Sequence, residues 1–213
     1  MKISVVIAYH DEKQYIKDCL ASLAEQTFPD FEAILVCDGC GAPKEGIPEK
    51  LNIVTVMQEE KGVAGARNAG IEKAQGDYVV FLDADDYLAE DTLEALAEKA
   101  EPETVVYISK TETWYSRKVY QDNGEKLDEQ NDTNGDEGEE TEVDSENPYE
   151  YLIANTKNWQ NISALGLLIP RRLWIENQIR FCEELEYDSD IPVLMEVLAK
   201  APKTSYQEKG TYI

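Results

Sequence analysis

Three carboxylates follow directly on a predicted strand in the segment Phe81-Leu82-Asp83-Ala84-Asp85-Asp86. The residues that lead into it, Tyr78 to Phe81, are aromatic or β-branched, which is typical of a strand. Asp83 and Asp85 are two positions apart, so in extended backbone their side chains project to the same side. Such carboxylates could bind Mg²⁺ or Mn²⁺ and leave positions for phosphate oxygens and water. A solvated acidic turn could have the same sequence, so the segment alone leaves both interpretations open.

The elements that must position these acids alternate between strand and helix over the first hundred residues. Continuous apolar runs predict strands, and apolar residues at helical spacing predict the helices between them. This order predicts an α/β fold with a parallel sheet and helices on both faces. The first helix is expected to start at a capping box formed by Asp11 and Gln14. The predicted strands are 3–8, 33–36, 53–57, 78–82 and 104–108.

Polar residues follow three of the predicted strands at the point where each strand ends. They are Tyr9-His10, Cys37-Asp38-Gly39 and Asp83-Ala84-Asp85. Ligands of parallel α/β sheets bind outside the carboxyl ends of the strands. The sequence therefore predicts one binding site at this edge of the sheet.

Composition limits the classes of partner. The chain has 213 residues and a formal net charge of −24, which argues against nucleic acid and against an anionic membrane surface as main partners. It contains no apolar run of membrane-spanning length and no signal-peptide core, so we expect a cytoplasmic protein without a transmembrane segment. The four cysteines are then expected to be free thiols. They are Cys19, Cys37, Cys40 and Cys182.

The segment 122–146 departs from the alternating pattern, since it contains twelve acidic residues and one lysine. It has too few apolar residues to order itself, and we expect a mobile, solvated loop. A calcium loop does not fit, because Glu137 stands where a glycine is needed and Val143 where the bidentate glutamate is needed. The regular pattern returns with an apolar strand at 164–169. An amphipathic helix follows, with Ile191, Leu194, Met195 and Leu198 on its buried face.

Five sequence blocks follow one another along the chain. They are Ile3-Ser4-Val5-Val6-Ile7-Ala8-Tyr9-His10, Cys19-Leu20-x-Ser22-Leu23-x-x-Gln26-Thr27, Val36-Cys37-Asp38-Gly39-Cys40, Gly62-x-x-Gly65-Ala66-Arg67-Asn68-x-Gly70 and Phe81-Leu82-Asp83-Ala84-Asp85-Asp86. In this order they give the chain a resemblance to the family 2 glycosyltransferases, which have the GT-A fold. A sixth segment, from Ile179 to Asp190, resembles the family more loosely. The resemblance covers nearly the whole chain except the acidic loop.

The resemblance implies a single catalytic domain over 1–213, a Rossmann-like three-layer α/β/α structure with a mostly parallel sheet. Residues 1–110 would be the nucleotide-sugar half, 111–147 a variable part and 148–213 the acceptor-side half. Because the chain stops after a predicted strand, we expect the domain to be truncated at its C-terminus.

The implied activity is transfer of a sugar, with inversion, from a nucleotide diphosphate sugar to a hydroxyl acceptor. A UDP-sugar is the expected donor, and a glycan or lipid-linked molecule the expected acceptor, in the synthesis of cell-surface polysaccharide or glycoconjugates. Association with the inner face of the cell membrane would then use parts that this chain lacks.

The same resemblance assigns roles to individual residues. Asp83 and Asp85 would hold Mn²⁺ or Mg²⁺, and the backbone around Gly62 would suit an anion at a helix start. Arg67 would either brace phosphate or pair with an aspartate of the metal motif, Asp83-Ala84-Asp85-Asp86. Asp190 would be the general base, with Asp188 as its close competitor, although Asp190 could instead only cap its helix. The donor-binding residues would be Ala8, Tyr9, His10, Asp38, Gly39, Gly62, Arg67, Asp83, Ala84 and Asp85.

Three positions depart from the family pattern. Cys37 and His10 replace an aspartate and an asparagine near the nucleotide, and Ser189 replaces a glutamate. Cys37 and Cys40 also form a Cys-x-x-Cys motif, but a zinc site lacks its second pair and a redox site would open a helix. These departures leave an alternative, a catalytically impaired GT-A domain that serves as an interaction or scaffold module.

Overall fold

The computed structural model describes residues 1–59, 61–108, 164–185, 189–207 and 212. The acidic loop 122–146 and Asp188 lie outside these residues. The described part forms seven strands and five helices. The strands are β1 Ile3–Tyr9, β2 Phe31–Asp38, β3 Ile53–Gln58, β4 Tyr78–Asp83, β5 Thr104–Ile108, β6 Leu167–Pro170 and β7 Lys203–Gln207. The helices are α1 Ile16–Ala24, α2 Gly62–Lys73, α3 Thr92–Glu98, α4 Arg171–Glu176 and α5 Asp190–Lys200.

The strands form one sheet in the order β3-β2-β1-β4-β6-β5-β7. Strands β1 to β4 pair in parallel, and β5 pairs in parallel with β7, whereas β6 runs antiparallel to both of its neighbours. The predicted mostly parallel α/β sheet is therefore confirmed. In the register, Ala8 lies beside Val36 on one side and Asp83 on the other, so the ends of three strands meet at one edge.

Both faces of the sheet are covered by helices, because successive residues of each central strand face opposite sides. Val5 and Ile7 pack with helices α1 and α3, while Val6 packs with α2, α4 and α5. Phe81 of β4 contacts Trp174 and Phe181 edge-on in the core on the side of α2, α4 and α5.

Helix α2 approaches the sheet closely because Gly70 has no side chain. A Cβ added to Gly70 would lie only 2.1 Å from Cγ1 of Val6 in β1. Gly70 thus permits close packing of α2 on the sheet. A Cβ at Gly65 would instead meet the side chain of Lys61, so that glycine does not face the sheet.

Two local predictions were wrong. Helix α1 begins at Ile16, beyond the expected capping box, and Asp11 pairs with Lys13 while Glu12 accepts backbone N–H groups at the loop. In α5 the predicted Leu194 and Leu198 are buried and Ile191 packs partly buried against the core, but Met195 is 55% exposed, and Val193 and Val197 complete the buried face instead. None of the described helices is long and apolar enough to cross a membrane.

Candidate active site

A cleft of about 320 Å³ lies at the carboxyl edge of the parallel strands. Three residues that were not predicted as donor contacts line this cleft, namely Glu12, Val63 and Ala66. Gly39 and Arg67, two of the ten predicted donor contacts, are not in its wall. The other eight line the cleft: Ala8, Tyr9, His10, Asp38, Gly62, Asp83, Ala84 and Asp85.

Three carboxylates converge where β4 ends. Asp83, Asp85 and Asp86 each offer one oxygen, and these oxygens lie within 4.8 Å of one another. Burial raises the pKa of Asp83, and it raises the pKa of Asp86 to about 6, with neighbouring carboxylates adding to both shifts. Hard oxygen donors at this spacing suit Mg²⁺ or Mn²⁺, which would relieve the repulsion between them. Asp86 thus lies in one cluster with the two residues that were predicted as ligands.

Arg67 lies behind this cluster, with a side chain that is 5% exposed. Its Nη2 donates to Asp83 Oδ1 at 2.9 Å, and its Nη1 donates to Asp190 Oδ1. The guanidinium also lies over the ring of Phe181, 5.4 Å from its centroid. Two roles were left open for Arg67, and in the structure it pairs with an aspartate of the metal motif, Asp83.

Asp190 begins helix α5 and faces α2 across the site. Its second oxygen, Oδ2, accepts the backbone N–H of Ala164 at 3.1 Å. Two donors from different parts of the chain thus fix the carboxylate.

Asp38 ends strand β2 and lies at the start of helix α2. Its Oδ1 accepts from Gln58 Nε2 at 2.6 Å and from the Lys61 N–H at 2.9 Å, and its Oδ2 accepts from the Gly62 N–H at 2.8 Å. A carboxylate at this position satisfies N–H groups that no helix bond uses. The anion that these groups bind here is therefore the chain's own side chain.

His10 lies against the end of β2, with Nδ1 2.6 Å from the carbonyl oxygen of Asp38. Since a carbonyl only accepts, Nδ1 carries the proton in this contact. Cys37 is fully buried in the core on the α1 side, and burial raises the pKa of its thiol to about 11. Cys40, at the loop, donates to the carbonyl of Tyr9 at 3.5 Å.

Asn68, the residue after Arg67, joins α2 to the segment that leads to Asp190. Its side chain exchanges two hydrogen bonds of 2.9 Å with the backbone of Phe181, and it donates to Glu183 at 3.1 Å. Arg67 and Asn68 thus hold the metal motif, α2 and the start of α5 in one arrangement.

Tyr212 also reaches the site. Its hydroxyl donates to Asp86 Oδ2 at 2.7 Å and accepts the Asp83 N–H at 3.2 Å. No local sequence signal indicates this contact, because the partners are more than 120 residues apart along the chain.

Curated relatives match about half of the chain. EpsH of Bacillus subtilis is 33% identical over 111 residues, which are 50% of this chain and 32% of EpsH. The poly(ribitol-phosphate) beta-N-acetylglucosaminyltransferase TarS of Staphylococcus aureus is 36% identical over 106 residues, 46% of this chain and 18% of TarS. The aligned segments thus span about a third of EpsH and less than a fifth of TarS.

Solved structures share the fold over the whole chain. TarS residues 1–349 in complex with UDP-GlcNAc superpose with a TM-score of 0.75 at 24% identity, covering 100% of this chain and 57% of that one. The mannosyltransferase PcManGT of Pyrobaculum calidifontis, in complex with GDP-Man and Mn²⁺, gives 0.61 at 18% identity, covering 99% and 55%. The family model "Glycosyl transferase family 2" matches residues 4–160. The chain therefore belongs to glycosyl transferase family 2 and has the GT-A fold.

Proposed function

We propose that this chain transfers a sugar from a nucleotide diphosphate sugar to a hydroxyl acceptor, with inversion at the sugar carbon. The observation that carries the proposal is the pairing of Arg67 with both Asp83 and Asp190. Through Arg67, a separately held carboxylate is joined to the three-carboxylate cluster, and Asp83 and Asp85 of that cluster line the cleft at the carboxyl edge of the sheet.

Asp83, Asp85 and Asp86 would hold Mn²⁺ or Mg²⁺, and the bound ion would neutralise the charge that develops on the leaving diphosphate. Asp190 would accept the proton of the acceptor hydroxyl as its oxygen bonds to the sugar carbon. The bond from that carbon to the diphosphate oxygen breaks, and the nucleoside diphosphate leaves with the electron pair. Arg67 would keep the metal motif and the base in fixed relative positions.

The cleft residues at the ends of β1 and β2, among them Tyr9, His10 and Asp38, would contact the nucleotide. UDP is the preferred nucleotide of the proposal because the similar fold of TarS has been solved with UDP and with UDP-GlcNAc. The name of TarS also supports a cell-surface polymer as the acceptor class. A cytoplasmic location, at the inner face of the membrane or away from it, stays a prediction.

Isothermal calorimetry with UDP, GDP, CDP or dTDP, each with and without Mn²⁺, tests the proposal. We expect metal-dependent binding of UDP, lost in Asp83→Asn and in Asp85→Asn without loss of the fold. Asp91→Asn, an exposed aspartate at the start of α3, is the matched control and should bind as the wild type does. If none of the four nucleotides bound with metal, the alternative of an inactive interaction module would replace the enzyme.

A further inference from the structure

Tyr212 is held against the metal motif by contacts on two sides. Its backbone forms an antiparallel bridge with Leu88, two residues beyond Asp86. On the other side is Gly166, whose φ is +69°, and a Cβ added there would lie 3.4 Å from the ring and the Cβ of Tyr212. The tyrosine is 6% exposed and belongs to the core that also contains Leu82 and Leu88. Its hydroxyl therefore has a fixed position.

The two hydrogen bonds of that hydroxyl have consistent polarity. The one hydroxyl proton points to Asp86 Oδ2, which can only accept while it is ionised, and a lone pair accepts the Asp83 N–H. A single oxygen thus fixes the side chain of one acid and the backbone of another. Arg67 holds the side chain of Asp83 through a separate hydrogen bond.

This arrangement matters because three carboxylates within 4.8 Å repel one another. Without a donor, Asp86 would turn away from its neighbours towards solvent. With Oδ2 held by Tyr212, the carboxylate of Asp86 is kept within the group of three. Hydrogen-bond partners that orient metal ligands in this way are a general feature of metal sites.

We infer that Tyr212 is a positioning residue for the metal motif, which orients Asp86 as a third carboxylate ligand and anchors Asp83 at the end of β4. The inference rests on the proposed metal site. It concerns ligand geometry and not contact with the sugar or the nucleotide.

The experiment measures Mn²⁺ binding to the full chain by electron paramagnetic resonance, in wild type, Tyr212→Phe and Tyr78→Phe. Tyr78 is the matched control, because it is equally buried and its hydroxyl donates to the carbonyl of Glu101 at 2.7 Å. Tyr78 begins strand β4, and the metal motif lies at the other end of that strand. Melting temperatures of both variants report the structural cost of a lost hydroxyl.

We expect Tyr212→Phe to weaken Mn²⁺ binding about ten- to a hundred-fold, the range for partners that orient metal ligands. Tyr78→Phe should stay within about two-fold of the wild type, even where the melting temperatures of the two variants fall equally. Equal Mn²⁺ affinities in the two variants would overturn the inference and leave the metal site standing. A wild type that does not bind Mn²⁺ would overturn the metal site and the inference together.

A comparison of Mn²⁺ binding by Asp86→Asn and by Asp86→Asn/Tyr212→Phe tests whether Tyr212 acts through Asp86. If Tyr212 acts by orienting this carboxylate, its removal should cost less affinity once Asp86 is neutral than it costs in the wild type. An equal loss in both backgrounds would contradict the role given to Asp86.

Discussion

Arg67 Nη2 lies 2.9 Å from Asp83 Oδ1, and the arginine side chain is 5% exposed whereas that of the aspartate is 30% exposed. The Arg67 guanidinium is thus buried behind the Asp83 carboxylate and does not lie beside it in the cleft. The same guanidinium binds Asp190, so it connects the proposed metal ligand with the proposed base. A planar guanidinium can hold two carboxylates in defined directions, which a lysine ammonium cannot do as rigidly.

Arg67→Met should therefore destabilise the fold and not only the site. The substitution leaves two partly buried carboxylates unpaired, and we expect the free energy of unfolding to fall by about 3–5 kcal/mol in urea denaturation. Arg180→Met is the control, because Arg180 pairs with Glu72 on the exposed surface at 3.7 Å. Its cost should be about 0–1 kcal/mol. Similar losses in the two variants would contradict a structural role for Arg67.

Asp38→Ala tests whether Asp38 is chiefly the cap of helix α2. The variant removes the acceptor of two helix-start N–H groups and of Gln58. We expect the free energy of unfolding to fall by about 2 kcal/mol, the upper end for a lost cap. Asp91→Ala at the start of α3 is matched in position but makes no capping hydrogen bond, so it should cost little. Equal stability of the two variants would show that Asp38 does not stabilise the start of α2, and its role would then lie in the nucleotide site alone.

The sequence predicted the order of elements and the edge at which the site lies, because both follow from local patterns. Apolar runs ending in polar residues mark parallel strands, and Asp83 and Asp85 stand at such an end. Helix starts were less predictable. Asp11 and Gln14 have the spacing of a capping box, but Asp11 pairs with Lys13 and the helix begins at Ile16.

Contacts between distant segments could not be predicted from local patterns. Asp38 caps a helix more than twenty residues away, and Tyr212 reaches back to Asp83 and Asp86. The contact between Arg67 and Asp190 likewise joins segments 123 residues apart. Such pairings depend on how the strands are ordered in the sheet, which the spacing of residues along the chain does not determine.

Glu32, at the end of the sheet away from the cleft, makes a pH-dependent contribution to the free energy of unfolding. It accepts from Ser4 Oγ at 2.7 Å, the Gln75 N–H at 2.8 Å and Lys2 Nζ at 3.0 Å. Burial alone would raise its pKa, but these donors outweigh burial, and the pKa lies below the ordinary value of 4.5. The carboxylate therefore stabilises the fold above pH 4.5, and this contribution is lost as the pH falls through the lowered pKa.

Glu32→Gln should accordingly cost about 1–3 kcal/mol at pH 7. The difference from the wild type should shrink in urea denaturation as the pH is lowered below 4.5. Glu94→Gln is a suitable control, because Glu94 accepts a hydroxyl hydrogen bond from Thr27 at an exposed position. A difference between wild type and Glu32→Gln that did not change with pH would show that the charge of Glu32 contributes nothing.

Asp190→Asn separates the proposed base from its structural contacts. The amide oxygen can still accept from Arg67 or from Ala164, so we expect a folded protein that binds UDP and Mn²⁺ with unchanged affinity. Turnover should fall by about two to four orders of magnitude, because the amide cannot take the acceptor proton. The measurement is UDP released from the donor, with water or an added glycan as acceptor. Glu196→Gln, on the exposed side of the same helix, should leave turnover unchanged. If Asp190→Asn kept normal turnover, the base would have to be another carboxylate, and Asp188 would be the first to test.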